Sequence, residues 1–210
     1  MASTKTSGFS LLELTIAISV SLVLTGAAVI TFGPTMQQSR VDTAYNTTLT
    51  SLRRAHDAAA ADMRVYVVSF TAPVTTGPSP NGGTITVNQT TPTGTQLFSV
   101  TLPSDVTFHV EPGVPNSPTT VPTTPDGFGS AGFAFDFDQP PSGAGGGMVI
   151  YFYPDGTAED ANGNINNGVV YLGRPGSLMT CRAVTLWGYT GRLRGWRLNQ
   201  TAGVWGWSQL

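Results

Sequence analysis

Gly8-Phe9-Ser10-Leu11-Leu12-Glu13 opens an apolar stretch that carries no further charge as far as Phe32. A carboxylate inside so hydrophobic a segment costs a few kcal/mol at bilayer depth unless something pairs with it or uses it, so Glu13 reads as functional. Secretory signals hold roughly 7 to 15 apolar residues, whereas this stretch has about 24, the length that spans about 30 Å of hydrocarbon as a helix. An ordinary single-pass anchor, or a signal cut near Gly26-Ala27-Ala28, would have no use for the acid.

Beyond Gln37 the pattern turns amphipathic. Val41, Tyr45, Leu49, Leu52 and the run Ala58-Ala59-Ala60-Ala61 keep helical spacing, with Arg53, Arg54, Asp57 and Asp62 at polar positions. This predicts one helix from Phe9 to about Asp62, about 80 Å long at 1.5 Å per residue. Its first half is apolar all round and needs lipid or neighbouring subunits; its second half is apolar on one stripe and needs its own domain. Gly33-Pro34 predicts a kink or local melting, since proline removes a backbone donor and crowds the preceding turn.

From Arg64 onward the period is two. Strands are predicted over 64–70, 84–87, 96–102, 105–110, 132–137, 148–153, 168–172 and 182–187, with Pro154-Asp155-Gly156 as a turn. The loops at 71–83 and 112–130, rich in Pro, Thr, Gly and Ser, read as mobile surface insertions. The expected fold class is α+β: a long N-terminal helix, membrane-spanning in its first half, packed against a C-terminal antiparallel β-sandwich or sheet domain. The expected segments are 1–8 (leader), 9–33 (transmembrane or filament-core helix), 34–62 (amphipathic continuation) and 63–210 (β domain).

Only 10% of the 210 residues are charged, and Gly 25 with Pro 15 describe a loop-rich β domain outside the cytoplasm. Lys5 is the one lysine, so the cations from residue 9 onward are all guanidinium groups, suited to forked contacts with carboxylate or phosphate. Cys181 stands alone, which rules out an intramolecular disulfide and a thiol cluster for a metal; it reads as a buried small hydrophobe.

The glycine before Phe9, and Glu13 as the fifth residue counted from it, resemble the prepilin signal of type IV pilins and pseudopilins. The resemblance implies cleavage between Gly8 and Phe9 by prepilin peptidase, methylation of the new N-terminus, and pairing of Glu13 with an N-terminal amine during filament assembly. The back half, with Met148-Val149-Ile150-Tyr151-Phe152-Tyr153-Pro154-Asp155-Gly156 and Thr190-Gly191-Arg192-Leu193-Arg194, looks like the C-terminal signature of the GspH/FimT group. That implies a minor pilin or pseudopilin of a type IV pilus or a type II secretion pseudopilus. Its implied partners are other pilins and an inner-membrane assembly platform. Its implied place is a single pass in the inner membrane, then a filament.

Some FimT-type members bind DNA for natural transformation through Gly-Arg-x-Arg, which Gly191, Arg192 and Arg194 match. Residues 105–160 hold eight acids and no Lys or Arg, while residues 161–210 hold five arginines and no acid. On a strand, Arg192, Arg194 and Trp196 share a face, with Leu193 turned to the core. With Arg197 nearby, they form a candidate grip for phosphates and a stacked base. Three phosphate contacts give a salt slope of only about −2.7, hence weak binding per subunit. The competing reading pairs the basic end with the acidic middle and puts the tryptophans in the core. A third reading is an anchored β domain that never polymerises.

The chain does not read as an enzyme. His56 and His109 sit in no base or metal-ligand motif, and no Ser-His-Asp, zinc or phosphate-loop pattern appears. No cofactor is expected. Calcium is the one candidate ion, at residues 155–164 or at Asp136 with Asp138, although the spacing at 155–164 fails the EF-hand pattern.

Overall fold

The structure, a computed structural model, describes residues 10–76, 79–90, 94–117, 124–129, 132–139 and 147–210, excepting the side chains of residues 27, 29–32, 34 and 139. Helix α1 covers Leu11–Asp62 and stays helical through Gly33-Pro34, where a kink or local melting was expected; the segment does not melt. The chain divides into two compact units, Met1–Ser39 and Arg40–Leu210. In the first, every described side chain over residues 10–26 is exposed, and Leu11, Leu12 and Val23 show 80%, 69% and 72% of their surface. Glu13 lies in the first helical turn, where a carboxylate meets the positive end of the helix dipole.

In the second unit, Val41, Ala44, Tyr45, Thr48, Leu49, Leu52, Ala55 and Ala59 are buried at three- and four-residue spacing, forming one apolar stripe. The strands that meet it are β1 (Tyr66–Thr71), β2 (Thr84–Gln89), β3 (Thr95–Thr101), β4 (Phe135–Gln139), β5 (Val149–Phe152), β6 (Ala158–Glu159), β7 (Asn167–Leu172), β8 (Arg182–Trp187), β9 (Arg192–Thr201) and β10 (Val204–Gln209). They build two antiparallel five-stranded sheets, ordered β3-β2-β1-β5-β6 and β10-β9-β8-β7-β4. The α1 stripe and side chains from both sheets make one core, which includes Val68, Ile85, Phe135, Ile150, Val184 and Leu186. A second core lies around Val169, Tyr171, Ala183 and Leu198, where Val114, Phe128, Trp196, Trp205 and Trp207 pack.

These observations correct the expected fold. Beyond residue 62 the described chain is mainly two sheets, and its only helical pieces are two three-residue 3-10 turns, Pro125–Gly127 and Leu178–Thr180. Among the described side chains, those of α1 that enter the core begin at Val41, and the fold is dominated by two sheets rather than by a long, membrane-spanning helix packed on a sheet domain. Among the described residues, no helix is long and apolar enough to cross a membrane. Residues 27 and 29–32 of the expected span lie outside the described side chains. A transmembrane helix and a single-pass inner-membrane location are therefore not supported.

The predicted strand at 105–110 is also absent. Val106, Thr107 and Phe108 are all buried, without the alternation expected there, and the backbone bonds go elsewhere: Phe108 N–H donates to the Gly82 carbonyl (3.0 Å), and Thr107 exchanges bonds with Gly173 (2.9 and 3.1 Å). The segment thus ties a loop of one sheet to a strand end of the other. The loop at 112–130 is not a free insertion where it is described. Thr124, Pro125 and Phe128 are buried; residues 118–123 and 130 lie outside the described residues.

The β9–β10 hairpin was not predicted as such. Thr201 pairs with Val204 across a two-residue turn in which Ala202 (φ 51°) and Gly203 (φ 84°) are both left-handed. Such turns favour Asn-Gly, because alanine's Cβ crowds the following carbonyl there. Ala202→Asn is expected to stabilise the fold by about 0.5–1 kcal/mol, read as a higher urea midpoint with an unchanged slope.

Candidate functional site

Gly8 and Phe9, the expected processing residues, lie outside the described residues. Glu13 sits on the exposed part of α1. The arginine motif falls on the β8–β9 hairpin, whose register decides which side chains meet. Trp187 faces Arg192, Thr185 faces Arg194 and Ala183 faces Trp196 on one surface; Leu186 faces Leu193, Val184 faces Gly195 and Arg182 faces Arg197 on the other.

Alternation thus places Arg192, Arg194 and Trp196 together, but they are not equally free. Arg194 Nη1 donates to Asp126 Oδ1, and its guanidinium lies 5.9 Å from the Trp187 ring centre. Asp126 is only 4% exposed at its side chain, and its second oxygen accepts from the Thr185 hydroxyl. Thr185 in turn accepts from Trp196 Nε1 at 3.0 Å. Trp196, Thr185, Asp126 and Arg194 therefore form one bonded chain over the second core, and Trp187 stacks on Phe128, with ring centres 5.0 Å apart. Arg192 is exposed.

Gly191 has a packing reason of its own. It holds φ +57°, and a Cβ there would stand 2.4 Å from the His56 ring and 2.5 Å from the Gly156 carbonyl oxygen. Leu193 packs on the first core. Of the four residues Gly191-Arg192-Leu193-Arg194, three serve the fold, and Arg192 alone keeps an open guanidinium face. Arg197 lies opposite Arg182, and its Nε is buried without a hydrogen-bond partner. Arg182, 1% exposed, donates from Nε and Nη2 to Asp42 Oδ1 (3.1 and 2.8 Å) and from Nη1 to the carbonyls of Met179 and Cys181. The sequence did not mark Asp42 and Asp126 as partners. The charge asymmetry was a signal for Asp126, but its place in a Pro/Thr-rich loop hid its burial.

The acids offered to calcium are held by other groups. Asp160 accepts from the backbone of Asn162 and Asn164 and from the Asn164 amide, and Asp155 accepts from Thr157; these bonds hold both carboxyls below their ordinary range. Asp136 is buried, while Asp138, at φ 60° in a register shift of β4, exchanges bonds with Asn166 (2.6 and 2.7 Å). Burial pushes the Asp138 carboxyl up. Among the described residues, no group of three or more His, Cys, Asp or Glu side chains could hold a metal ion. Cys181 is buried, and desolvation pushes its thiol up to about 12, an unreactive state.

His109 is half-buried. Its Nε2 lies 2.8 Å from Glu111 Oε2, which also accepts from Gly176 N–H at 3.0 Å. The His109 bond comes first among the causes that hold the Glu111 carboxyl below its usual value. His56 touches Asp57 (3.3 Å) and stands edge-on to Phe152 (5.7 Å). His109 Nδ1 also meets the Thr107 hydroxyl at 3.0 Å.

Comparison of the chain with protein-family models, with curated proteins and with solved structures gives no match.

Two outcomes separate a structural arginine from a ligand-binding one. Arg194→Ala strands a buried carboxylate and is expected to cost about 2–4 kcal/mol, discounted for the partial exposure of Arg194; Arg192→Ala should shift stability by less than about 0.5 kcal/mol. Chemical denaturation checks both. For Glu111, a depressed folded-state value means stability that is present above the ordinary carboxylate range and lost as pH falls through the depressed value. Glu111→Gln should therefore be less stable than the parent at pH 6, the gap closing toward pH 3, as urea midpoints at the two pH values would show.

Proposed function

We propose that the chain is a structural filament subunit of the minor pilin or pseudopilin kind. The observation that carries this reading is the exposed, apolar half of α1. Over residues 10–26 no described side chain is buried, yet Leu11, Leu12, Leu14, Ile16, Ile18, Val20, Leu22, Val23 and Leu24 are all large hydrophobics exposed by half or more. So continuous an apolar surface marks an interaction site. The helices of neighbouring subunits satisfy it, because a helix that is apolar all round is stable only when surrounded.

The polar residues of this segment suit a packed helical interior. Thr15, Ser19, Ser21 and Thr25 donate their hydroxyls to carbonyls three or four residues earlier, at 2.7 to 2.8 Å. Buried by neighbours, they would bring no unsatisfied donor with them. Glu13 is then the one charged group of residues 10–26 to be matched, and an N-terminal amine after cleavage between Gly8 and Phe9 would match it. Prepilin peptidase and other pilins or pseudopilins are the partners this reading requires. DNA binding is left with the guanidinium of Arg192, so it is not the favoured reading.

Cysteines placed at the exposed positions Leu14 and Leu22 test assembly, since the native Cys181 is buried. Mild oxidation of the full chain is expected to give a ladder extending beyond dimers, and Glu13→Ala to shorten it. A chain that stays monomeric at all concentrations sinks the reading. A ladder unaffected by Glu13→Ala would leave assembly standing and remove the role of Glu13.

A further inference from the structure

Strand β3 ends the first sheet, and among the described residues no strand pairs with its outer edge. An open edge presents a row of free N–H and C=O groups, which proteins usually blunt with charge, proline or brevity. Charge, proline and brevity are all missing from β3: Thr95-Gln96-Leu97-Phe98-Ser99-Val100-Thr101 is seven residues long, uncharged and without proline, and its one irregularity is the register shift opposite Val87 and Asn88. The other end of the same sheet, β6, is only two residues long.

A groove of about 460 Å³ runs between β3 and α1. Phe98 and Val100 line one wall; Asn46, Thr47, Thr50 and Arg54 line the other. Arg54 lies over the Phe98 ring at 4.7 Å. A second hollow of about 480 Å³ shares Thr50 and Arg54 and adds Arg53 and Asp57, so the groove continues along α1 with two guanidinium groups against one carboxylate. Arg53 and Arg54 are both exposed, and the nearest acid on the helix, Asp57, is engaged with His56. Among the described residues neither arginine forms an ion pair.

We propose that this groove binds an extended acidic peptide segment of a partner polypeptide, which adds a strand to the edge of β3 and places a carboxylate on Arg53 and Arg54. Each element of the site has a separate task. The open edge supplies backbone hydrogen bonds, as in other strand-addition sites. Asn46, Thr47 and Thr50 offer donors and acceptors to alternate side chains that turn toward α1. The two guanidinium groups fix direction, because only one orientation brings the acidic end to them. This inference does not rest on the filament reading, since it uses only the Arg40–Leu210 unit and none of residues 10–26.

The test is fluorescence anisotropy of the full chain in nonionic detergent with a labelled, capped peptide, Asp-Asp-Thr-Val-Thr-Val-Thr. Its controls are a Lys-Lys version and an acidic version N-methylated at alternate residues, which blocks one row of backbone bonds without changing charge. The acidic peptide is expected to bind at least tenfold more tightly than either control, and the charge-reversed Arg53→Glu/Arg54→Glu chain to lose at least tenfold. Both substitutions lie on an exposed helix face, and circular dichroism verifies the fold. Equal binding of the N-methylated peptide would overturn strand addition. Equal binding of the Lys-Lys peptide, or none of the acidic one, would overturn the site. So would an acidic peptide that binds only by dissociating a dimer, for then a second copy is the occupant.

Discussion

The two sheets share no strand, so a cluster of phenylalanines has to join them. Phe70 of β1 lies 5.1 and 5.6 Å from Phe135 and Phe137 of β4, and Phe108, from the segment that crosses between the sheets, lies 5.8 Å from Phe70 and 4.9 Å from Phe135. All four rings are buried. Tilted and edge-on aromatic pairs add about 0.5–1.5 kcal/mol each beyond the area they bury, and here they fix the position of one sheet against the other. The backbone bonds of residues 107 and 108 to Gly173 and Gly82 close the same joint from the main chain. With the joint fixed, both sheets can share the buried stripe of α1 as a third wall.

That stripe is held in register by charge and by close approach. Asp42, near its start, reaches the buried Arg182 of β8, and Tyr45, one turn on, lies so near β9 that a Cβ at Gly195 would stand 1.5 Å from its hydroxyl oxygen. At the far end, His56 fills the space that Gly156 and Gly191 leave open. Glycines on β9 and in its hairpin are thus matched to ring-bearing side chains on α1. This is why the Gly-Arg-x-Arg pattern carries a structural message before any functional one. A buried Arg182 paired with one oxygen of a half-exposed carboxylate does little for net stability, but it penalises any sliding of the helix that would leave the guanidinium alone.

Much of this was legible in the residues, and the rest was hidden for identifiable reasons. The three-to-four spacing from Val41 to Ala59, the alternation of β1, β2 and β5 and the short, mostly buried runs of β7 and β8 are local signals, and the strands lie within a few residues of where the pattern put them. The segment 105–110 has the same alternation but spends its backbone bonds on two different sheets, a matter of tertiary neighbours that periodicity cannot report. The β9–β10 hairpin was obscured because Ala202-Gly203 replaces the Asn-Gly that signals such a turn. A membrane span read from apolar length was not carried by the described helix, since hydropathy measures a segment's need for apolar surroundings and leaves open what supplies them.

The arginines show how far composition reaches and where it stops. The acidic middle and the basic end of the chain are written plainly in the sequence, and they do meet, once, at Asp126 and Arg194. The remaining pairs fall elsewhere: Arg182 turns to Asp42 on the helix, and Arg40 of the helix turns to Asp105 at 2.8 Å. Each of these pairs joins segments distant in sequence, so cations that look like a cluster along the chain are spread over both faces of a sheet. Exposed guanidinium groups outside these pairs include Arg192, within the motif at the hairpin end, and Arg53 with Arg54 beside the open edge of β3. Free positive charge on this surface therefore follows the tertiary pairing of acids, and local sequence density of arginine is a poor guide to it.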